Sequence, residues 1–290
     1  MIAVCLKWVD RRPEINRLTG DVHTDPRTSG ASDADLAALE WALRLGEAWG
    51  ASVVALTAGP SEADSVLRDA VAAGAARAIR IPILLGAPSE QAAAALAGAL
   101  AAPASPGGSD PLDVVVCGNW SLDRGTGAVP AFLAAHLGAA QALGLVTMSF
   151  DADAPGVIRA ERRLDGGRRE RLLVRTPAVL SVEGGSARLR RAPLDGVLRA
   201  RTAAIEVASG PKALRAGGSS GHGRAPVRTS AFRPRAKELL PPPGDLGPRE
   251  RILALTGALV DRVPPETVVL DPGAAADRLL AQLRAWGYGE

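Results

Sequence analysis

Over the first 150 residues of this 290-residue chain, short apolar runs alternate with helix-patterned stretches, and that alternation bounds what the chain can become. Ile2 to Trp8, Ser52 to Thr57, Ala78 to Pro82 and Leu112 to Cys117 are the apolar runs, as expected of strands covered on both faces. Ser32 to Trp49, about Glu62 to Ala73, and Ser89 to Ala101 are helix-patterned. In the first of these, Leu36, Leu39 and Leu43 make one apolar stripe at spacings of three and four. Ser32 and Asp35 have the spacing of a capping box, and Gly50 stands where a left-handed residue ends a helix. Such alternation builds a parallel sheet with right-handed crossovers. The expected fold class is therefore α/β, a doubly wound Rossmann-like sheet. Ligands in such sheets sit beyond the carboxyl ends of the strands, where the strand order reverses. Cys5, Ala58 and Gly118 mark three of those ends.

The last run leads into Gly118-Asn119-Trp120-Ser121-Leu122-Asp123-Arg124-Gly125-Thr126-Gly127-Ala128-Val129-Pro130, and then into a helix-like Ala131 to Leu137. A strand, a glycine-punctuated turn and a helix start suit a phosphate, because glycine lets backbone approach closely and first-turn N–H groups are free. The spacing is neither that of a Walker loop nor that of the dinucleotide fingerprint. An ordinary strand-to-helix connection is the competing explanation. In that case Asp123 caps its own turn, Thr126 is an N-cap and Trp120 covers the sheet end. In the nucleotide case Trp120 can stack on an adenine.

Beyond Phe150 the pattern changes. Val157 to Leu164, Arg168 to Val174 and Ala178 to Val182 read as strands, the first two joined through a hairpin turn at Asp165-Gly166-Gly167. Residues 159–201 hold twelve arginines but no aromatic for base stacking, so a solvated face or a protein-docking face is expected rather than a nucleic-acid surface. Pro193 to Arg201 is a short helix candidate. Ser209 to Pro248 is dominated by Gly, Ser, Pro and Arg, a composition that cannot hold its own core. Structure is expected to resume at Arg251 to Leu259, at a strand-like Val268-Val269-Leu270 and at a helix from Ala274 to Trp286. The resulting division is 1–183 for the α/β domain, 184–208 for a partner-recognition segment and 209–290 for a linker and C-terminal arm.

No membrane span is indicated, since no long apolar run occurs. The opening residues carry no basic leader and are expected to form a first strand rather than a targeting segment. Cys5 and Cys117 have no metal-ligand spacing and fit a reducing, cytoplasmic compartment. They end strands that are candidates for neighbours, either as a redox pair or as a buried, inert pair. His136 is expected to be a half-buried surface residue. No metal spacing, nucleophile elbow or other catalytic constellation is present in the motifs, so no catalytic residue is assigned.

Taken in order, these pieces resemble the β subunit family of electron transfer flavoproteins. Val4-Cys5-Leu6-Lys7 resembles that family's first strand, and Ala38 to Leu45 its first helix. Gly59-Pro60 and Leu67 to Ala75 resemble the second strand end and the following helix. Gly118 to Pro130 is similar to the family's nucleotide loop, Thr176 to Val182 to its last sheet strand, and Pro193 to Arg201 to its dehydrogenase recognition loop. The match covers most of Met1 to Val207, with a weaker echo at Pro264 to Gly287. Ser32-Asp33-Ala34-Asp35 stands where the family usually has Asn-Pro-aromatic-Asp. Asn119-Trp120 and Ala128 are further departures, and the Gly/Pro/Arg insert looks like the mycofactocin-associated branch.

The resemblance implies a non-enzymatic electron carrier. It implies a heterodimer with an electron transfer flavoprotein α subunit that holds most of the FAD, and an AMP of structural role on this chain. Dehydrogenases would donate electrons, which pass towards a respiratory acceptor. Carried over by position, the nucleotide contacts would be Cys5, Ser32, Asp33, Ala34, Asp35, Ala58, Gly118, Asn119, Trp120, Ser121, Leu122, Asp123, Arg124, Gly125, Thr126 and Gly127. Docking would fall to Leu194, Val197, Leu198 and Arg199. A stand-alone adenine-nucleotide enzyme, of ATP-pyrophosphatase or kinase type, and a nucleotide-sensing module are the alternatives on the same fold.

Overall fold

A computed structural model describes residues 1–101, 112–151, 154–208, 241–256 and 267–286. The Pro103–Pro111 loop and most of the Ser209–Pro248 segment lie outside the described residues. The chain divides into two compact units, within residues 1–231 and 232–290.

The first unit is built on a sheet of nine strands: β1 Ile2–Cys5, β2 Val53–Ala58, β3 Arg77–Ile81, β4 Val114–Gly118, β5 Ala140–Phe150, β6 Val157–Arg163, β7 Arg169–Arg175, β8 Ala178–Val182 and β9 Glu206–Val207. Their spatial order is β7-β6-β5-β8-β4-β1-β2-β3-β9. Within this sheet every neighbouring pair is parallel except β5–β6 and β6–β7, so β6 runs antiparallel to both of its neighbours. From β1 the chain steps outward through β2 and β3, then returns to place β4 on the other side of β1. The order reverses between β1 and β4.

The helices are α1 Asp33–Trp49, α2 Asp64–Ala73, α3 Ser89–Ala101, α4 Val129–Leu137 and α5 Leu194–Thr202. One apolar cluster joins α1 and α2 to one face of the sheet, and a second joins α3 and α4 to the other. The ends of α1 follow the sequence expectation. Ser32 is the N-cap and accepts from the Asp35 N–H, and Gly50, at φ 61°, closes the C-terminus. Sequence patterning does not reveal β5, whose mixed residues alternate imperfectly and include Gly144 at φ 71°. The first strand also stops at Cys5 rather than Trp8. Past Leu6 the backbone leaves the sheet, and Val9–Asp10 pairs instead with Ser29–Gly30. His136 proves exposed, because Leu133 and Ala134 form the buried side of α4.

In the second unit, α6 spans Pro248–Thr256 and α7 Pro272–Ala285, the latter capped by Asp271 through the N–H groups of Gly273 and Ala274. Val268-Val269-Leu270 is irregular rather than strand. A three-residue run is short for a strand, and among the described residues its unit offers none to pair with.

Half of the twelve arginines in the 159–201 stretch pair with the chain's own carboxylates. Arg162 pairs with Glu170, Arg163 with Glu183, and Arg169 and Arg171 with Glu161. Arg190, within the stretch expected to form a solvated or protein-docking face, instead ties the segment after β8 to α1. It donates to both oxygens of Glu40 and to Glu47, while Arg44 holds Glu40 from one helical turn away and lies over the Trp41 ring. Burial opposes ionisation of Glu40, yet the hydrogen bonds from Arg190 and Arg44 hold its carboxyl below the usual range. The Glu40 side chain is 5% exposed, so removing Arg190 leaves a buried carboxylate held by Arg44 alone. Arg190→Ala is therefore expected to lower unfolding stability by about 1–2 kcal/mol in denaturant titration, and Arg191→Ala by far less.

Candidate functional site

Parallel pairing brings the carboxyl ends of β1, β2 and β4 to one edge. Cys5 stands opposite Leu56 on one side and Cys117 on the other. Beyond this edge, at the reversal of strand order, lies an open cleft with a cavity volume of about 130 Å³. Cys5, Ala58, Cys117, Leu96 and Val129 supply apolar lining.

Its roof is the Gly118–Pro130 loop. The Lys7 ammonium reaches both Asp123 carboxylate oxygens at 2.7 Å and the Ser121 hydroxyl at 3.3 Å. Arg124 donates to the carbonyls of Gly86 and Ala87, at 2.7 and 2.8 Å, and the Thr126 and Ser89 hydroxyls meet at 3.2 Å. The loop is thus strapped to the end of β1 and to the β3–α3 connection at once. Ala128, not Thr126, is the N-cap of α4, and the Thr126 hydroxyl accepts from its N–H at 3.4 Å. With Pro130 in the first turn, N–H groups at this helix start have no intrahelical acceptor.

Three comparisons of residues bear on what this site belongs to. An electron transfer flavoprotein domain model matches residues 22–213. Protein FixA of Rhizobium meliloti is 33% identical over 206 residues, covering 69% of this chain and 68% of that protein. An electron transfer flavoprotein subunit beta of Mycobacterium bovis is 32% identical over 216 residues, covering 71% of this chain and 77% of that one. The chain belongs to the electron transfer flavoprotein β family.

In this β-type chain the residues picked out from the sequence fall into two places. Cys5, Asp35, Ala58, Gly118, Trp120, Ser121, Asp123, Arg124, Thr126 and Gly127 line the cleft. Ser32, Asp33, Ala34, Asn119 and Leu122 line a neighbouring depression, which shares Trp120 with the cleft and carries Arg11, Arg12 and Arg27. Gly125 lines neither; at φ 60° it serves the turn. Sequence reasoning missed the side chain of Lys7, which reaches Asp123 and Ser121, and the Ile83–Ala87 segment with Ser89. The available signal for Lys7 was its rarity, one of three lysines in the chain, placed just past the first strand.

Glycine is needed here for packing. A Cβ on Gly118 would stand 2.6 Å from Asp35 Oδ1 and 3.0 Å from Ala34, because the first turn of α1 passes over the end of β4. At Gly127, φ is 58° and a Cβ would meet the Asn119 carbonyl at 2.6 Å. A side chain at Gly127 therefore deforms the loop itself.

Asp35 is fully buried between these parts. It accepts from the Ser32 hydroxyl at 3.0 Å and from the Lys7 N–H at 3.2 Å. Desolvation outweighs these bonds and pushes its pKa up to about 6. The folded protein then holds this proton more tightly than the unfolded chain. Its contribution to stability is full below about pH 4 and is lost as pH rises through about 6. Asp35→Asn keeps an oxygen acceptor but cannot ionise. Stability measured by urea titration from pH 4 to 7 is expected to fall by roughly 2 kcal/mol less in the variant than in the wild type.

Proposed function

We propose that this chain is one half of an electron-carrying heterodimer, paired with an electron transfer flavoprotein α subunit that holds most of an FAD. It takes electrons from dehydrogenases and passes them towards a respiratory acceptor, in the cytoplasm and within a mycofactocin-associated system. It is a carrier subunit rather than an enzyme, and AMP occupies its cleft in a structural role.

The observation that carries the AMP reading is the chemistry of the cleft. Lys7, the hydroxyls of Ser121, Thr126 and Ser89, and the first-turn N–H groups of α4 suit one phosphate, while the apolar floor and the Trp120 ring suit a flat base. The single phosphate loop and the missing dinucleotide fingerprint suit a mononucleotide here and a flavin site completed by the partner. When bound, the flavin supplies the electron storage. This chain's own residues then hold the nucleotide, close the loop over it and present the docking surface.

That surface is α5. Gly196 and Ala200 face α2 so closely that a Cβ on Gly196 would lie 2.3 Å from the Ala72 carbonyl oxygen. Arg68 donates to the carbonyls of Ala200, Arg201 and Ala203, which fixes the helix end. With the helix held by these contacts, Leu194 remains 75% exposed and Leu198 52%, with Val197 beside them. Arg199 pairs with Asp195 at 3.5 Å on the same exposed helix. An apolar anchor flanked by charge is what transient recognition uses.

Two experiments test this function. Co-expressed with its genomic α-type partner, the chain is expected to co-purify with it, to carry a visible flavin spectrum and to release AMP on denaturation. Lys7→Met is expected to cut the released AMP severalfold; undiminished AMP sinks the phosphate assignment. Leu194→Ala is expected to slow reduction by the cognate dehydrogenase about 5- to 30-fold, the equivalent of 1–2 kcal/mol, with melting temperature and nucleotide content unchanged. A fall in stability with normal electron uptake would make Leu194 a packing residue.

A further inference from the structure

Cys5 and Cys117 are the two cysteines of the chain, contributed by strands far apart in sequence, yet they occupy the same rung of the sheet. Registered residues on parallel neighbours point to the same face, and adjacent strands lie about 4.8 Å apart. That spacing falls inside the roughly 4.4–6.8 Å between Cα atoms that a disulfide spans. Both side chains belong to the same apolar cluster, and both line the cleft. Both are free thiols, 7% and 3% exposed, and a hydrogen bond between them, with burial behind it, raises the Cys117 pKa well above the usual thiol value.

We propose that Cys5 and Cys117 form a reversible dithiol–disulfide pair, a modification site at the cleft floor that is oxidised by a small disulfide entering through the cleft when no nucleotide fills it. In the first step, one cysteine thiolate attacks a sulfur of the small disulfide RS–SR, forms a mixed disulfide and expels RS⁻. In the second, the other cysteine thiolate attacks the protein sulfur of the mixed disulfide, closes the Cys5–Cys117 bond and expels the second RS⁻. The two protons given up by the cysteines end on the two leaving thiolates. The protein pair loses two electrons, and the small disulfide is reduced to two thiols.

Two consequences follow from the position of the pair. Cβ atoms set roughly a strand spacing apart exceed the ~3.8 Å of a relaxed disulfide, so closure draws the ends of β1 and β4 together. A bond strained in this way is easily reduced, as labile and regulatory disulfides are. The pair also lies next to the cleft's polar elements: Gly118 directly follows Cys117, and Lys7 lies two residues past Cys5. Oxidation therefore shifts the ammonium and the root of the loop together. The high pKa of Cys117 makes the reaction slow at neutral pH and faster in alkali, because the thiolate is the nucleophile.

The test uses the full-length native chain, freed of nucleotide by gel filtration, and 2-hydroxyethyl disulfide, a small neutral disulfide, followed by acid quenching, intact mass and peptide mapping. The wild type is expected to lose both thiols together and to yield a cross-linked Cys5–Cys117 peptide pair. It should carry no lasting adduct, react faster as pH rises, and regain both thiols with dithiothreitol. Cys5→Ser and Cys117→Ser each lack the resolving thiol and are expected to accumulate the mixed adduct on the remaining cysteine. The proposal is overturned if the native wild type keeps both thiols under conditions that oxidise the urea-unfolded chain. It is equally overturned if the wild type stops at a stable adduct on one cysteine.

Discussion

The first turn of α1 packs against two bare glycine backbones, and much of the first unit depends on that contact. Gly118 at the end of β4 meets Ala34 and Asp35, and Gly184 just after β8 meets Asp33 and Ala34, with a virtual Cβ 3.1 Å from the Ala34 nitrogen. Only a residue without a side chain allows a helix start to sit this low on a strand end. Asp35 then spans the junction, bonded to the cap residue Ser32 and to the backbone of Lys7. One helix start thus fixes three strand ends relative to one another. The cost is a carboxyl group kept out of water, and its raised pKa records that cost.

The cleft follows from this arrangement. The strand order reverses between β1 and β4, and the Gly118–Pro130 loop roofs the space beyond their ends. Its attachment is polar and peripheral, through Lys7–Asp123 and Arg124 to two carbonyls, while the floor is apolar. Half-exposed ion pairs are weak in water, so such a roof is held firmly enough to shape a site and loosely enough to exchange contacts with an anion. An adenine nucleotide asks for the same division between an apolar base site and a polar phosphate site.

The exposed leucines of α5 depend equally on what lies beneath them. Gly196 lets α5 approach the α2 backbone, Arg68 satisfies the carbonyls at its end, and the Glu40–Arg44–Arg190 cluster anchors the chain that leads into it. Because small residues and arginines do the holding, the large apolar side chains stay outside. That inversion of the usual amphipathic pattern leaves α5 with an exposed apolar face rather than a core-facing one.

Much of this was legible in the sequence, because local patterning encodes elements. The capping box at Ser32, the helices at Ser89–Ala101 and Pro193–Arg201, the Asp165–Gly167 hairpin and the alternation that implies a parallel sheet are all short-range signals. The resemblance to the electron transfer flavoprotein β family was likewise readable from an ordered series of short matches. What sequence could not supply was anything that depends on residues meeting across the fold. Strand β5 is recognisable only from its pairing with β8 and β6, since its own residues alternate poorly. Lys7 became a site residue because β1 ends beside the loop of β4, and Arg190 became an internal tie because Glu40 and Glu47 lie opposite it. The shared rung of Cys5 and Cys117 is of the same kind. Elements follow from neighbours within a few residues, whereas charge partners, thiol pairs and clefts are fixed by which strands lie side by side, and only the assembled sheet decides that.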